Sequence, residues 1–341
     1  MKERLLDLLA CPSCGGDILM PYAGKYEDRE IIEGVLSCRK CSREYRIVRG
    51  VPRFADLDKI EQDKADTAEN FGWQWTHFTQ EDKKYAEQFL GWLQPVKPEF
   101  FKDKIVLEGG CGKGRHTSLA AEWGAKEIVG IDLSAAVETA FQATKHLPNA
   151  HIVQADIFRL PFKKEFDYAF SVGVLHHTPD PKGAFVSLAS KVKKGGAVSA
   201  WVYGAENNEW ITRYVNPIRE GFTSKINQPT LYQLSKIPTL GVFLASKLIY
   251  KPLEKTPLRK KLFYHEYLTH LGTFGWREQH NIVFDHLVAP TAFYISREEF
   301  EQWWKEIKAE NVQIIWHNQN SWCGFGEISN SPYAIFEKIV N

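Results

Sequence analysis

From Lys104 onward the chain alternates short apolar segments with amphipathic ones, and this alternation constrains the fold more than any other feature. KIVLE, EIVGID, HIVQAD, FDYAFSVG and GAVSAWVY are short, apolar and rich in β-branched or aromatic residues. RHTSLAAEWG, SAAVETAFQATKH and KGAFVSLASKV lie between them and have helical character. Strands and helices in that order predict an α/β fold with a mostly parallel sheet and helices on both faces. After Tyr203 the pattern stops. Residues 204–290 are mixed, with helical QPTLYQLSKI and GVFLASKLIY and many aromatics, and read as a substrate cap inserted before the last strands. The α/β pattern resumes in SREEFEQWWKEIKAE, where Ser296 followed by Glu299 makes a capping box, and in VQIIWH.

Four of the six cysteines fall as Cys11-x2-Cys14 and Cys38-x2-Cys41. Two such knuckles can present four thiolates in a closed tetrahedron, the arrangement of a structural zinc site. A redox pair explains neither the second knuckle nor the glycines after the first, Gly15 and Gly16. Residues 1–55 are therefore expected to be a zinc ribbon, too small to hold together on apolar burial alone. Residues 56–100 read as a polar linker followed by an aromatic lid segment, residues 101–203 as the cofactor-binding core, and residues 291–341 as its C-terminal part.

The 341 residues are 44% hydrophobic and 25% charged, which suits a globular protein with a full core. The formal net charge of +1 offers no broad electrostatic surface for nucleic acid, so a nucleic-acid partner is unlikely on this ground. The start MKERLLDLLACP lacks a secretory signal, and no run is long enough to span a bilayer. IPTLGVFLASKLIY (Ile237–Tyr250) is the nearest, and its part Gly241–Tyr250 is expected to be buried rather than to rest on a membrane surface. The expected location is cytoplasmic.

VLEGGCGKGRH (Val106–His116) places Gly110, Gly112 and Gly114 directly after a strand ending in Glu108. A phosphate-cradling loop fails, because Gly112-Lys113 is followed by glycine rather than Ser or Thr. A dinucleotide loop fails too, since its third glycine falls on Arg115. Alternate glycines preceded by an acid suit a cationic, amino-acid-like ligand, and S-adenosylmethionine fits. Asp132, at the end of the second strand, can accept bonds from ribose hydroxyls. Asp156, after the third, can take the exocyclic amine of adenine.

VLEGGCGKG, GIDLS, QADIFRLPF, FDYAFSVGVLHHTPD and KKGGAVSAWVYG resemble the successive motifs of class I S-adenosylmethionine-dependent methyltransferases. The resemblance implies a Rossmann-like, seven-stranded sheet. It further implies that Glu108 holds the cofactor's amino group, with Gly110, Gly112 and Gly114 forming the loop. Asp132 would bind ribose, Leu133 would pack on adenine, and Asp156 with Ile157 would read the base. Ser171 and Gly173 would lie beside the methionine portion, and Arg115 could meet its carboxylate. The motif Ser171-x-x-Val174-Leu175-His176-His177 resembles the subgroup acting on small molecules. LACPSCGG and EYRIVRGVP resemble the small zinc-ribbon activator of tRNA, ribosomal and protein methyltransferases.

Methyl transfer from a sulfonium needs alignment first, and a base only when the acceptor must lose a proton. His176, His177 and Tyr203 are candidates for that base. Phe71, Trp73 and Trp75 are candidates for a lid, since a spacing of two does not fit one helical face. Asp285 and His286 are further substrate-side candidates. The expected function is O-methylation of a small-molecule acceptor: a metabolite, sugar or lipid-like compound. A tRNA, rRNA or protein methyltransferase with a built-in activator is the alternative, and a non-catalytic cofactor-binding scaffold a second.

Overall fold

The structure is a computed structural model that describes residues 1–28, 30–55, 60–78 and 84–329. The parallel centre forms where the sequence predicts it. Strands β5 (Ile105–Gly109), β6 (Glu127–Asp132), β7 (Ala150–Gln154), β8 (Phe166–Val172) and β9 (Val192–Tyr203) pair in parallel in the order 7-6-5-8-9. Both faces of these strands are covered, so they read as continuous apolar runs. Two antiparallel strands, β10 (Ala309–His317) and β11 (Ser321–Ile328), complete the seven, with β11 inserted beside β9. Helices α3 (Arg115–Glu122), α4 (Ala136–Thr144) and α5 (Pro181–Ala189) are the crossovers.

The N-terminal strands do not form a tethered satellite. Strands β1 (Ile18–Glu27), β2 (Glu30–Cys38), β3 (Glu44–Val48) and β4 (Val51–Arg53) form an antiparallel meander. It joins the central sheet edge through a parallel bridge between Arg53 and Gln154. The seven-stranded sheet is thus part of one of eleven strands. Leu5, Leu9, Ile31, Leu36 and Phe54 share a core with Leu107, Val129 and Phe162. The Ala10 N–H donates to the Pro161 carbonyl at 2.9 Å, and Arg53 pairs with Glu138 of α4 at 3.0 Å.

The polar stretch read as a linker folds from Gln62 into helix α1 (Gln62–His77), whereas positions 56–59 lie outside the described residues. Helix α2 (Tyr85–Trp92) follows. Beyond β9 the chain is helical: α6 (Asn216–Gly221), α7 (Gln228–Leu234), α8 (Lys236–Ala245), a π-type turn (Ser246–Tyr250), α9 (Lys251–Leu253), α10 (His265–Leu271) and α11 (Trp276–Val288). Helix α12 (Arg297–Glu306) follows, its Ser296 side chain accepting the Glu299 N–H at 3.1 Å as the capping box predicts. The expectation that Gly241–Tyr250 is buried fails on one face: Leu244, Leu248 and Ile249 are exposed, whereas Ser246 and Tyr250 are buried. Among the described residues no helix is long and apolar enough to cross a membrane.

Candidate active site and four-cysteine cluster

The β5–α3 turn carries three glycines at positive φ: Gly110 at 79°, Gly112 at 51° and Gly114 at 82°. All three also mark close approach, Gly114 with a Cβ that would fall 3.0 Å from Ala140. A Cβ on Gly110 would fall 2.3 Å from Val174, and one on Gly112 would sit 3.1 Å from the Trp75 indole. The loop thus packs under both the β8 exit and helix α1, which only glycine permits. Asp132 holds it from the next strand, one carboxylate oxygen accepting the Gly112 N–H at 2.8 Å. Its other oxygen accepts the Ser134 N–H at 2.9 Å and hydroxyl at 2.6 Å. Asp156 accepts the Phe158 N–H at 3.0 Å and faces the Lys64 ammonium at 3.4 Å.

One large cavity opens above these strand ends. Gly110, Gly112, Asp132, Leu133, Asp156, Ile157 and Gly173 line it, and so does Arg115, whose guanidinium lies over the Tyr85 ring at 4.0 Å. Three predicted cofactor residues sit behind the wall instead. Glu108 is buried, accepting from the Thr117 hydroxyl and meeting His116 Nδ1 at 3.2 Å; burial pushes its carboxyl up to about 8. Ser171 donates to the Gly109 carbonyl at 2.8 Å and so fixes the loop's entry. Gly114 starts α3, close against Ala140.

The lid candidates all lie on α1, which settles their spacing. Phe71 and Trp75, four residues apart on one face, line the cavity with Thr67 and Ala68 of the supposed linker. Trp73 points elsewhere, packing on Phe284 at 5.5 Å and Tyr232 at 5.9 Å, so it is a packing residue and not part of the wall. Positions 79–83 of that segment lie outside the described residues.

The cavity continues from the cofactor end to a layer at the ends of β8 and β9. His177 and Tyr203 line it, together with Asp285 and His286 of α11. His176 does not. It is buried against the Tyr203 ring at 3.9 Å, with neither ring nitrogen hydrogen-bonded among the described residues. The His177 Nδ1–H donates to the Thr291 carbonyl at 2.7 Å, which leaves Nε2 as the acceptor. Burial lowers His177 to about 3 and His286 to about 4, so both rings are neutral at pH 7. Burial acts oppositely on Asp285, raising it to about 6. The Tyr203 hydroxyl donates to Asp285 at 3.1 Å, and the Gln74 amide does so from α1 at 3.2 Å.

Some site residues carry no local sequence signal. Tyr294 reaches the cavity because its segment runs along the end of β9, with the Ile295 N–H donating to the Tyr203 carbonyl at 2.8 Å. Arg219 of α6, behind the cavity lining, is 1% exposed; Nε and Nη2 make no hydrogen bond among the described residues, and Nη2 lies 3.8 Å from the Glu220 carboxylate. Its charge acts on Asp285, His286 and Tyr294.

The cysteine cluster lies apart from this cavity. The Sγ atoms of Cys11, Cys14, Cys38 and Cys41 are all within 4.8 Å of one another. Cys11 and Cys41 are 3.7 Å apart, Cys14 and Cys38 3.4 Å. Four sulfurs at ~2.3 Å from a tetrahedral ion would be about 3.8 Å apart, so the donor set fits one. The Lys40 and Cys41 N–H groups point at Cys38 Sγ at 3.4 and 3.5 Å, and the Tyr45 hydroxyl lies 3.1 Å from Cys11 Sγ. A Cβ on Gly16 would fall 2.9 Å from Cys38 Sγ, which explains the glycine after the first knuckle.

Residues 107–200 match the family described as Methyltransferase domain, and residues 2–50 match Trm112p-like protein. The chain thus carries a segment similar to methyltransferase domains behind one similar to Trm112p-like proteins. The tRNA U34 carboxymethyltransferase of Pseudoalteromonas atlantica is 34% identical over 111 residues, 32% of this chain and 34% of the relative. That of Shewanella baltica is 36% identical over 107 residues, 30% of this chain and 32% of the relative. The chain spans about a third of the length of the curated relatives it matches. Among solved structures, the magnesium protoporphyrin IX methyltransferase of Synechocystis PCC 6803 is 15% identical with a TM-score of 0.40, over 74% of this chain and 92% of that one. A complex between the Haloferax volcanii Trm112 methyltransferase activator and a methyltransferase is 21% identical with a TM-score of 0.34, over 45% and 67%. The curated relatives overturn two expectations, that of a small-molecule acceptor and that of nucleic acid as an unlikely partner. A net charge near zero was a poor guide, because it averages over the whole surface and says nothing of one face.

Proposed function

We propose that the chain is an S-adenosylmethionine-dependent methyltransferase acting on tRNA in the cytoplasm, with zinc in the four-cysteine cluster. The observation that carries this reading is the continuous cavity, which runs from the glycine loop and Asp132 to the Tyr203–Asp285 pair. The relatives' names supply the acceptor class. We divide the chain as residues 1–55, 101–203, 204–290 and 291–341, with helix α1 of the intervening segment acting as a wall of the site.

Bound S-adenosylmethionine supplies a methyl group already activated on a sulfonium. The protein's task is then alignment and, for an acceptor that must lose a proton, its removal. In this reading Gly110 and Gly112 bring backbone up to the cofactor, Asp132 takes the ribose, and Asp156 with the Ile157 N–H reads adenine. Glu108, Gly114 and Ser171 shape the loop from behind. An unstacked base would enter between aromatic side chains such as Tyr203, Tyr267 and Tyr294, as enzymes that modify bases require. Asp285 is the proton acceptor: its carboxyl titrates near neutrality, whereas His177 is too weak a base and serves as an acceptor at Nε2. Arg219, buried with the Glu220 carboxylate 3.8 Å away, acts from outside the cavity lining through its charge on Asp285, His286 and Tyr294.

The test is transfer from methyl-labelled S-adenosylmethionine into tRNA isolated from cells lacking this chain. Label in one tRNA nucleoside, and none in tRNA from cells that possess the chain, is the expected result. Label in neither tRNA would overturn the assignment.

A further inference from the structure

Helix α8 and its continuation to α9 are inside out. The most deeply buried positions are polar, while Phe243 packs on Trp276 and Tyr250 is buried at the far end. Ser235, Thr239 and Ser246 are buried, with Ser235 Oγ 2.8 Å from His280 Nε2 and Ser246 Oγ bonded to the Gln279 amide at 3.0 Å. The Thr239 hydroxyl donates to the Ser235 carbonyl at 2.7 Å. The outer face is apolar: Ile237, Leu240, Leu244 and Leu248 are 74%, 51%, 45% and 69% exposed. A helix on a water-facing surface has the opposite arrangement. Tyr214, Ile218, Phe222, Leu258 and Phe263 extend the exposed apolar surface to either side in sequence. A patch of this kind is covered by something.

The charges around it say by what. Lys251, Lys255, Arg259, Lys260 and Lys261 are exposed, and between Ile211 and Phe263 the only acids are Glu220 and Glu254. Lys251 pairs with Glu254, which leaves a net basic rim. A second copy of the chain docked by two-fold symmetry would set this rim against its own duplicate. RNA would neutralise the rim, yet it offers no apolar surface to the leucines. A bilayer with anionic headgroups satisfies both, taking the leucines among its acyl chains and the lysines at its phosphates.

We propose that this face rests in the plane of an anionic membrane surface. The test is flotation of the full chain with vesicles of phosphatidylglycerol and phosphatidylcholine, against vesicles of phosphatidylcholine alone. The chain is expected to float with the anionic vesicles, less so at about 0.5 M salt. The Ile237→Ser, Leu240→Ser, Leu244→Ser, Leu248→Ser variant should bind at least tenfold more weakly with its melting temperature unchanged. Should that variant fail to fold, charge reversal by Lys255→Glu, Lys260→Glu and Lys261→Glu must abolish the preference for anionic vesicles. Failure of the natural chain to float, or equal flotation of the variants, overturns the proposal. So does a dimer, or a tRNA affinity, that the leucine variant loses while vesicle binding is absent.

Discussion

At the scale of single residues, burial sorts the titratable groups of the acceptor layer into different tasks. It drives His177 and His286 toward the neutral ring and raises Asp285 to about 6, the closest of the three to working pH. A carboxyl raised in this way is protonated below that value and ionised above it. If Asp285 accepts the proton, transfer under saturating cofactor rises with pH through about 6 and levels off above it. Asp285→Asn should leave a low, flat profile in the same assay, with the fall at pH 7.5 about 10²-fold or more. An unchanged profile would move the base elsewhere. The sequence made Asp285 and Tyr203 candidates separately. Their bond was not legible, because 82 positions separate them and only the docking of α11 over the end of β9 brings them together. Likewise His176 and His177 are indistinguishable by type and place, and only packing turns one into the core and the other toward the cavity.

At the scale of elements, α1 is where pattern and structure part most clearly. Its low apolar content suggested a linker, but its buried Asn70 and Gln74 dock on α11 through hydrogen bonds to the Val288 carbonyl and Asn281, an attachment that leaves no apolar stripe. The two tryptophans give the helix two separable functions. Trp75→Ala should weaken S-adenosylmethionine binding, seen by calorimetry, about tenfold or more while shifting the melting temperature little. Trp73→Ala, which removes a ring packed on Phe284, should cost about 1–3 kcal/mol of stability in urea titration with cofactor affinity retained. The reverse outcome would mean that the cavity wall has been misassigned. By contrast, the strands β5 to β9 were readable because a buried parallel sheet demands uninterrupted apolar runs, and the glycine loop because positive φ and close approach exclude side chains. The cap's outward leucines defeated the same logic, since that logic assumes water outside.

At the scale of the molecule, the cysteine cluster is a structural dependency of the whole sheet. The N-terminal strands share a core with β5 and β6, so loosening the knuckles exposes apolar surface well beyond them. Cys38→Ser with Cys41→Ser should abolish zinc in elemental analysis and lower the single melting transition by roughly 10 °C or more. A metal-free variant melting as the natural chain does would remove the metal from the account. The central claim is that the glycine loop and Asp132 form the S-adenosylmethionine site. Calorimetric titration of the cofactor into the natural chain and into Asp132→Ala tests it most directly. The account predicts one site in the natural chain and binding weaker by about 10- to 100-fold in the variant, since charge-assisted hydrogen bonds are lost. Equal affinity in both, or no binding to the natural chain, would contradict it.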